Sequence, residues 1–132
     1  MDESELQSIP LFESLPRDQR RVVAQHADEI DVDEGTALVR QGELAYEFFV
    51  IESGSAEVLR DGEHIADLGP GDFLGEMGIV GKVVRNATVT ATAASKVIVM
   101  TEQAFRSMSQ SNPEIAKRIQ AAVEERCRAL VA

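Results

Sequence analysis

The stretch GPGDFLGEMGIVGKVVRNATV, residues 69–89, stands out in this 132-residue sequence because it holds five of the nine glycines. Glycine at Gly75 and Gly78 allows the backbone to approach a bound group closely. A short helix starting near Glu76 would point unpaired N–H groups at that bound group, which favours an anion. Arg85 follows nine residues later and could grip phosphate oxygens, while a carboxylate can accept from a ribose hydroxyl. The pattern indicates a sugar-phosphate site.

The same residues permit a simpler interpretation. Glu76 and Arg85 could form an ion pair at the base of a loop, and most glycines in β-proteins are turn formers. The spacing alone leaves both interpretations open.

Around this stretch, from Asp28 to Thr101, short runs rich in Val, Ile, Thr and Phe alternate with turn residues. Turn signals recur every 7 to 12 residues, which favours a β-sandwich or barrel over alternating strands and helices. Asp61-Gly62 predicts a hairpin turn, because a type I′ turn needs positive φ at both central residues. The run Phe48-Phe49-Val50-Ile51 predicts a strand that is buried on both faces.

Helical patterns flank this β region. Residues 9–27 are amphipathic, with Ser14 suited to an N-cap and Pro16 to a first helical turn. After Thr101 the pattern predicts a short helix that ends near Gln110.

A second C-terminal helix is predicted to begin at Pro113. Its apolar stripe consists of Ile115, Ile119, Ala122, Val123, Cys127 and Leu130. We therefore expect residues 1–132 to form a single domain, with an N-terminal helical segment over about 5–27, a β-barrel over about 28–101 and C-terminal helices over about 102–131.

Charge and hydropathy narrow the function classes. The 23 acidic residues against 13 basic ones give a net charge of −10, which repels phosphate backbones and argues against DNA or RNA as a direct partner. No run approaches the roughly 20 apolar residues that cross a bilayer, and the first five residues include three acidic ones and no basic one, where a signal peptide would be basic. We expect a cytoplasmic protein without a membrane partner.

Catalytic and metal sites are not indicated. Cys127, the single cysteine, cannot form an internal disulfide and is interpreted as a packing residue. His26 and His64 lie far apart in the sequence, and neither belongs to a nucleophile motif. A cupin-like enzyme would need a histidine cluster for its metal. We therefore predict no metal, no cofactor, no catalytic residues and no enzymatic activity.

Two segments resemble a known motif. Residues Phe73-Leu74-Gly75-Glu76-Met77-Gly78 and Arg85-Asn86-Ala87-Thr88-Val89 are similar to the phosphate-binding cassette of cyclic nucleotide-binding domains. That family includes the catabolite activator protein, the regulatory subunit of protein kinase A and cyclic nucleotide-gated channels. The resemblance extends over roughly residues 9–125, with further matches at 40–43, 49–54 and 69–73. It implies a mainly β fold, an antiparallel double-stranded β-helix (jelly-roll barrel) flanked by N-terminal and C-terminal helices.

The resemblance also implies a role for each matching residue. Glu76 would accept a hydrogen bond from the ribose 2′-hydroxyl, and Arg85 would neutralise the cyclic phosphate. Val58 and Ile65 would form apolar walls for the purine, although such residues in a barrel are core residues by default. The remaining implied ligand-binding residues, which contribute backbone amides or, for Asn86, a side chain, are Gly75, Met77, Gly78, Asn86 and Ala87.

Three positions depart from the commonest family pattern. Val84 stands where many members have proline, and Gly78 replaces the alanine of kinase-type members. Asn86 occupies a position that is alanine in many cAMP sites and threonine or serine in others, and its side chain could reach the phosphate or the base edge. The expected ligand is cAMP, and this position leaves cGMP open. Lys82, beside the cassette, is interpreted as a solvated loop charge.

In this family, bound ligand moves the helices that follow the barrel and thereby signals to an effector. The corresponding element here is the stripe from Ile115 to Leu130, which could pack back on the barrel or pair two copies as a homodimer. We expect a stand-alone cyclic nucleotide sensor that acts on an unidentified protein effector. The alternative is a ligand-free protein-interaction domain that retains the fold.

Overall fold

A computed structural model of the chain describes residues 1–7, 9–13, 15–43, 47–74 and 87–121. The N-terminal part consists of a 3₁₀ turn (Glu3–Leu6) and two helices, α1 (Pro10–Glu13) and α2 (Arg17–His26). Eight strands follow: β1 (Asp28–Val32), β2 (Ala37–Val39), β3 (Glu47–Ser53), β4 (Ala56–Arg60), β5 (Glu63–Leu68), β6 (Phe73–Leu74), β7 (Thr88–Ala91) and β8 (Ser95–Thr101). Helix α3 (Glu102–Ser111) and a further helix, α4, over 113–121 complete the described chain.

The strands form two antiparallel four-stranded sheets. Sheet A has the order β1-β8-β3-β6, and sheet B has the order β2-β7-β4-β5. Among the described strands, only the β4–β5 hairpin keeps consecutive strands in one sheet, because every other connection crosses between the sheets. The predicted mainly β fold with flanking helices is confirmed. The sheets are not closed into the predicted barrel, since each ends in its own edge strands and side-chain packing joins one sheet to the other.

The two central strands of sheet A, β3 and β8, are buried on both faces. Phe48 and Val50 of β3 pack with the helices, whereas Phe49 and Ile51 of the same strand pack in a second core between the sheets. Strand β8 alternates in the same way, with Val97 and Val99 in the core between the sheets and Ile98 and Met100 in the core with the helices. The expectation of a doubly buried strand at 48–51 is confirmed.

Helix α2 begins two residues later than the predicted N-cap implies. Pro16 is the N-cap residue, with φ −57° and ψ 155°, and its side chain makes no capping hydrogen bond. The helix is instead fastened by a buried carboxylate, because Glu3 Oε1 accepts a 2.7 Å hydrogen bond from Arg20 Nε. This hydrogen bond lowers the pKa of Glu3. Ser14, the predicted N-cap, lies outside the described residues.

The C-terminal helices pack against the rest of the domain. Thr101 caps α3, since its Oγ1 accepts from the amide of Ala104 at 3.0 Å, and the helix ends one residue beyond the predicted Gln110. Ile115 and Ile119 of α4 are buried in the core shared by the helices and sheet A. The described part of the apolar stripe therefore packs back on its own domain. The stripe's remaining members, Ala122, Val123, Cys127 and Leu130, lie outside the described residues. Within the described chain, no helix is long and apolar enough to cross a membrane.

Two carboxyl groups meet on the helix-facing side of sheet A. Glu29 lies on β1 opposite Ile98, and Glu52 is the extra residue of a bulge between Ile51 and Ser53 of β3. Both side chains have a buried Oε2 atom without a hydrogen-bond donor, so one proton held between the two carboxyl groups would satisfy both atoms. Burial, followed by the interaction with Glu29, raises the pKa of Glu52 to about 7.

This pair predicts a loss of stability as the pH rises. Glutamate has a reference pKa of 4.5, so the folded protein binds an extra proton between pH 4.5 and about 7, and its stability falls across that window. The pKa of Glu29 is lowered, chiefly by its hydrogen bond with Glu52. The stability that Glu29 contributes is therefore lost only at more acidic pH. Glu52→Gln should flatten the decline and stabilise the protein at pH 8 by about 1–2 kcal/mol.

Urea unfolding of wild type and Glu52→Gln at several pH values between 4.5 and 8 measures this effect. Glu34→Gln, at an exposed turn position, removes one carboxylate elsewhere and should leave the decline unchanged. The same slope in wild type and Glu52→Gln would refute the assignment of the shared proton.

Candidate functional site

The structure describes only the two ends of the predicted cassette. Ala87, Val58 and Ile65 lie within the described residues, and Ala87 is buried. The other predicted ligand-binding residues lie outside them: Gly75, Glu76, Met77, Gly78, Arg85 and Asn86. The described part of the site consists of the strands and turns on either side of residues 75–86.

Residues 75–86 connect the two sheets. They follow β6, the edge strand of sheet A, and precede β7, which lies between β2 and β4 of sheet B. Both flanking residues are buried, with Leu74 6% and Ala87 7% exposed. Leu74 and Val89 also belong to the same core between the sheets. The two ends of the segment are thus fixed to one packed core.

The turn before β6 is tightly held. Pro70-Gly71 has the features of a type II turn, because Gly71 has φ +89° and the amide of Asp72 donates to the carbonyl of Gly69 at 3.0 Å. Asp72 Oδ2 accepts from the amide of Gly69 at 2.8 Å. Two further backbone hydrogen bonds of 2.8 Å join Gly71 and Asp72 to Ile51 of β3. The chain therefore approaches the predicted phosphate loop from a fixed direction.

The β4–β5 hairpin provides the predicted apolar wall. Asp61 and Gly62 have φ +53° and +81°, which confirms the predicted turn with positive φ at both central residues. Val58 is half-buried, is paired with Val89 and packs against the core between the sheets. Ile65 is 46% exposed, and among the described residues only Ile30 is a comparably exposed large apolar side chain.

The β4–β5 hairpin contains a β-bulge at Ile65. Val58 is paired with Ala66 and Leu59 with His64, so Ile65 has no partner across the hairpin. A bulge releases a residue from the regular alternation of a strand and can re-aim its side chain. The exposed Ile65 side chain offers an apolar surface for a flat ring. Val58, in contrast, also packs against the core between the sheets.

The bulge has a second effect that the sequence analysis missed. His64 and Asp67, three residues apart, would lie on opposite faces of a regular strand. In the structure His64 Nε2 lies 2.8 Å from Asp67 Oδ1, and this hydrogen bond raises the pKa of His64. A polar pair therefore borders Ile65.

Gln41 forms a polar bridge that the sequence analysis also missed. Its side-chain Nε2 donates to Asp61 Oδ1 at 2.8 Å, and its Oε1 accepts from the amide of Asp61 at 2.9 Å. The amide of Gln41 donates to Thr88 Oγ1 at 3.0 Å. The hairpin tip is thus linked to the first residue of β7, directly after the predicted cassette.

The chemistry of the segment itself comes from its sequence. Residues 75–86 contain Lys82 and Arg85 against one carboxylate, Glu76, within a chain of net charge −10. This local excess of positive charge suits an anionic ligand. Among the described residues, no group of three or more His, Cys, Asp or Glu side chains could hold a metal ion.

Comparison with known proteins matches residues 29–112 to the family model described as the cyclic nucleotide-binding domain. The cAMP-dependent protein kinase regulatory subunit of Schizosaccharomyces pombe is 33% identical over 107 residues, which cover 80% of this chain and 26% of that protein. The chain spans between a fifth and a third of the length of the curated regulatory subunits that it matches.

Solved structures agree in fold. A cyclic nucleotide-binding-like protein from Brucella abortus is 28% identical with a TM-score of 0.70, and the match covers 83% of this chain and 97% of that one. A cyclic nucleotide-binding domain from Methylobacillus flagellatus has a TM-score of 0.86 at 18% identity and covers 97% of this chain and 75% of that one. At such low identity the second likeness concerns the fold alone.

Proposed function

Because this chain belongs to the family of cyclic nucleotide-binding domains, we propose that it binds a cyclic nucleotide, with cAMP as the expected ligand, between residues 75–86 and the β4–β5 hairpin. The observation that carries this proposal is the placement of that segment. The strand before it, β6, lies at the edge of sheet A, and the strand after it, β7, lies beside β4 of the hairpin that exposes Ile65.

The proposed contacts divide the nucleotide into three parts. Arg85 neutralises the cyclic phosphate, helped by backbone amides near Gly75, Met77, Gly78 and Ala87. Glu76 accepts from the ribose 2′-hydroxyl. Ile65 and Val58 of the hairpin provide apolar walls for the purine, and the Asn86 side chain reaches the phosphate or the base edge. Each part of the ligand then meets a group of matching chemistry.

The choice of cAMP is supported by the regulatory subunits of cAMP-dependent protein kinase among the relatives. The chain corresponds to only part of those proteins, so their ligand is carried over here as a proposal. The domains of this family are regulatory rather than catalytic. We place the proposed sensor in the cytoplasm.

The proposed output passes through the C-terminal helices to a protein effector. Helix α4 contacts α2, since Arg118 Nη1 donates to Gln19 Oε1 at 3.3 Å, and Ile115 and Ile119 share a core with α2. Bound nucleotide would shift this packing only if it had different affinities for two arrangements of the helices. A tenfold difference in affinity corresponds to about 1.4 kcal/mol.

Isothermal titration with cAMP, cGMP and 5′-AMP tests the proposal. Saturable binding of cAMP, with weaker binding of cGMP and of the non-cyclic 5′-AMP, is expected. Tighter binding of cGMP would show that the ligand is cGMP rather than cAMP, and the proposed binding site would stand. A folded protein that binds none of the three would favour the alternative function, a protein-interaction domain that retains the fold without a ligand.

Glu76→Gln should weaken cAMP binding by about 3- to 10-fold. Glutamine retains a neutral acceptor for the ribose 2′-hydroxyl but loses the charge-assisted part of the hydrogen bond. Titration with 2′-deoxy-cAMP supplies the control, because this ligand lacks the hydroxyl and should bind wild type and Glu76→Gln alike. An equal loss for both ligands would show that Glu76 acts elsewhere than on the ribose.

A further inference from the structure

The bridge made by Gln41 lies between the two halves of the proposed site. On one side is Asp61, at the tip of the β4–β5 hairpin that carries Ile65. On the other side is Thr88, the first residue of β7 after the segment 75–86. Three hydrogen bonds of 2.8, 2.9 and 3.0 Å span this gap.

The backbone presents Gln41 to both partners. Residues 40–43 form a turn in which the amide of Glu43 donates to the carbonyl of Arg40 at 3.2 Å and Gly42 has φ +89°. This geometry matches a type II turn with Gln41 as its first central residue. The Gln41 amide donates to Thr88 from this position while the side chain spans the distance to Asp61. The turn therefore fixes the side chain that makes the bridge.

The β-ladder alone does not hold the hairpin tip. The last pair between β4 and β7 joins Leu59 to Thr88, so Asp61 lies two residues beyond the end of that ladder. Gln41 connects this overhanging tip to the strand that carries the C-terminal end of the predicted cassette. All three bridging residues are partly or fully exposed, so core packing does not duplicate their connection.

We propose that Gln41 is a positioning residue for the nucleotide site. It holds the hairpin that covers the purine at a fixed spacing from the strand that anchors the phosphate segment, and this spacing sets the affinity for a complete nucleotide. The inference rests on the proposed function, because it concerns the same site. It adds a residue that touches neither the phosphate nor the base.

An exchange of amide and carboxylate tests the bridge. Gln41→Glu removes the amide donor and places a second carboxylate beside Asp61, so the bridge breaks. The double variant Gln41→Glu/Asp61→Asn restores one donor and one acceptor in swapped positions, and asparagine tolerates the positive φ of residue 61. Gln25→Glu, on the exposed side of α2, adds the same charge away from the site and serves as the control.

We expect Gln41→Glu to weaken cAMP binding by about 5- to 10-fold, the size of one lost hydrogen bond with added repulsion. The double variant and Gln25→Glu should stay within about twofold of wild type. Ribose 3′,5′-cyclic phosphate, which lacks the base, should bind wild type and Gln41→Glu alike, because it does not span the two halves of the site. A purely structural role would lower the melting temperature without separating these two ligands.

Amide exchange of the nucleotide-free protein gives an independent readout. The Gln41 and Asp61 amides should exchange faster in Gln41→Glu and recover in the double variant. Unchanged affinity in Gln41→Glu, or a folded double variant that fails to recover, would overturn the positioning role while the proposed function stands. A wild-type protein that binds no nucleotide would overturn the proposed function, and the positioning role would fall with it.

Discussion

Arg85→Ala is expected to weaken cAMP binding by about 100-fold or more while leaving the fold intact. The guanidinium is the proposed cation for the cyclic phosphate, and charge-assisted hydrogen bonds of this kind contribute about 1.5–3 kcal/mol each. The loss of two such bonds corresponds to at least 100-fold in affinity. Titration calorimetry of the purified variant measures the loss, and circular dichroism confirms that the variant is folded.

Two variants make this test specific. Lys82→Ala removes the other cation of residues 75–86 and should change the affinity by less than about threefold, since a solvated loop charge, as Lys82 is interpreted from the sequence, would contribute mainly long-range attraction. Arg85→Lys keeps the charge but loses the planar fork, so an intermediate affinity is expected. Equal affinities of wild type and Arg85→Ala would show that the phosphate is bound by other groups.

Gly54→Ala is expected to destabilise the protein by about 3 kcal/mol or more. Gly54 lies where the chain crosses from β3 to β4, and it has φ +98°. A methyl group there would overlap Ser95 Oγ and lie only 2.7 Å from the Ser95 Cα atom. Ser95 cannot easily move aside, because its hydroxyl donates to the carbonyl of Ala93 at 2.8 Å and accepts from the amide of Ser55 at 3.2 Å.

Gly35→Ala is the matched control for this substitution. Gly35 has a similar φ of +89°, but an added Cβ atom would meet nothing within 4 Å. Its cost should be about 1 kcal/mol, which is the backbone strain alone. The difference between the two variants in urea unfolding isolates the steric overlap with Ser95. A difference below about 1 kcal/mol would contradict the close packing of this crossing.

Local signals in the sequence predicted several elements well. The run at 48–51 is apolar at every position, which indicated burial on both faces, and Asp61-Gly62 supplied the two positive φ angles that its turn requires. The change to a helical pattern after Thr101 likewise indicates the start of α3, where Thr101 caps the helix. The resemblance to the nucleotide-binding family rested on contiguous motifs, and the family assignment is confirmed.

The missed features depend on contacts between distant residues. Nothing near Gln41 in the sequence indicates that its partners lie 20 and 47 residues away. The bulges at Ile65 and Glu52 arise from the register of paired strands, which one strand's sequence does not define. The burial of Glu3 likewise follows from its pairing with Arg20, 17 residues along the chain. A polar residue in a turn only weakly indicates that its side chain forms a bridge. It does not indicate which residue is the partner.

The most direct test of the proposed site is a crystal structure of the chain grown with saturating cAMP. The measured quantity is the position of the nucleotide relative to residues 75–86 and the β4–β5 hairpin. We expect the cyclic phosphate within about 3 Å of the Arg85 guanidinium and the purine against Ile65. A nucleotide bound away from Arg85, or this position empty at saturating cAMP, would contradict the proposed site.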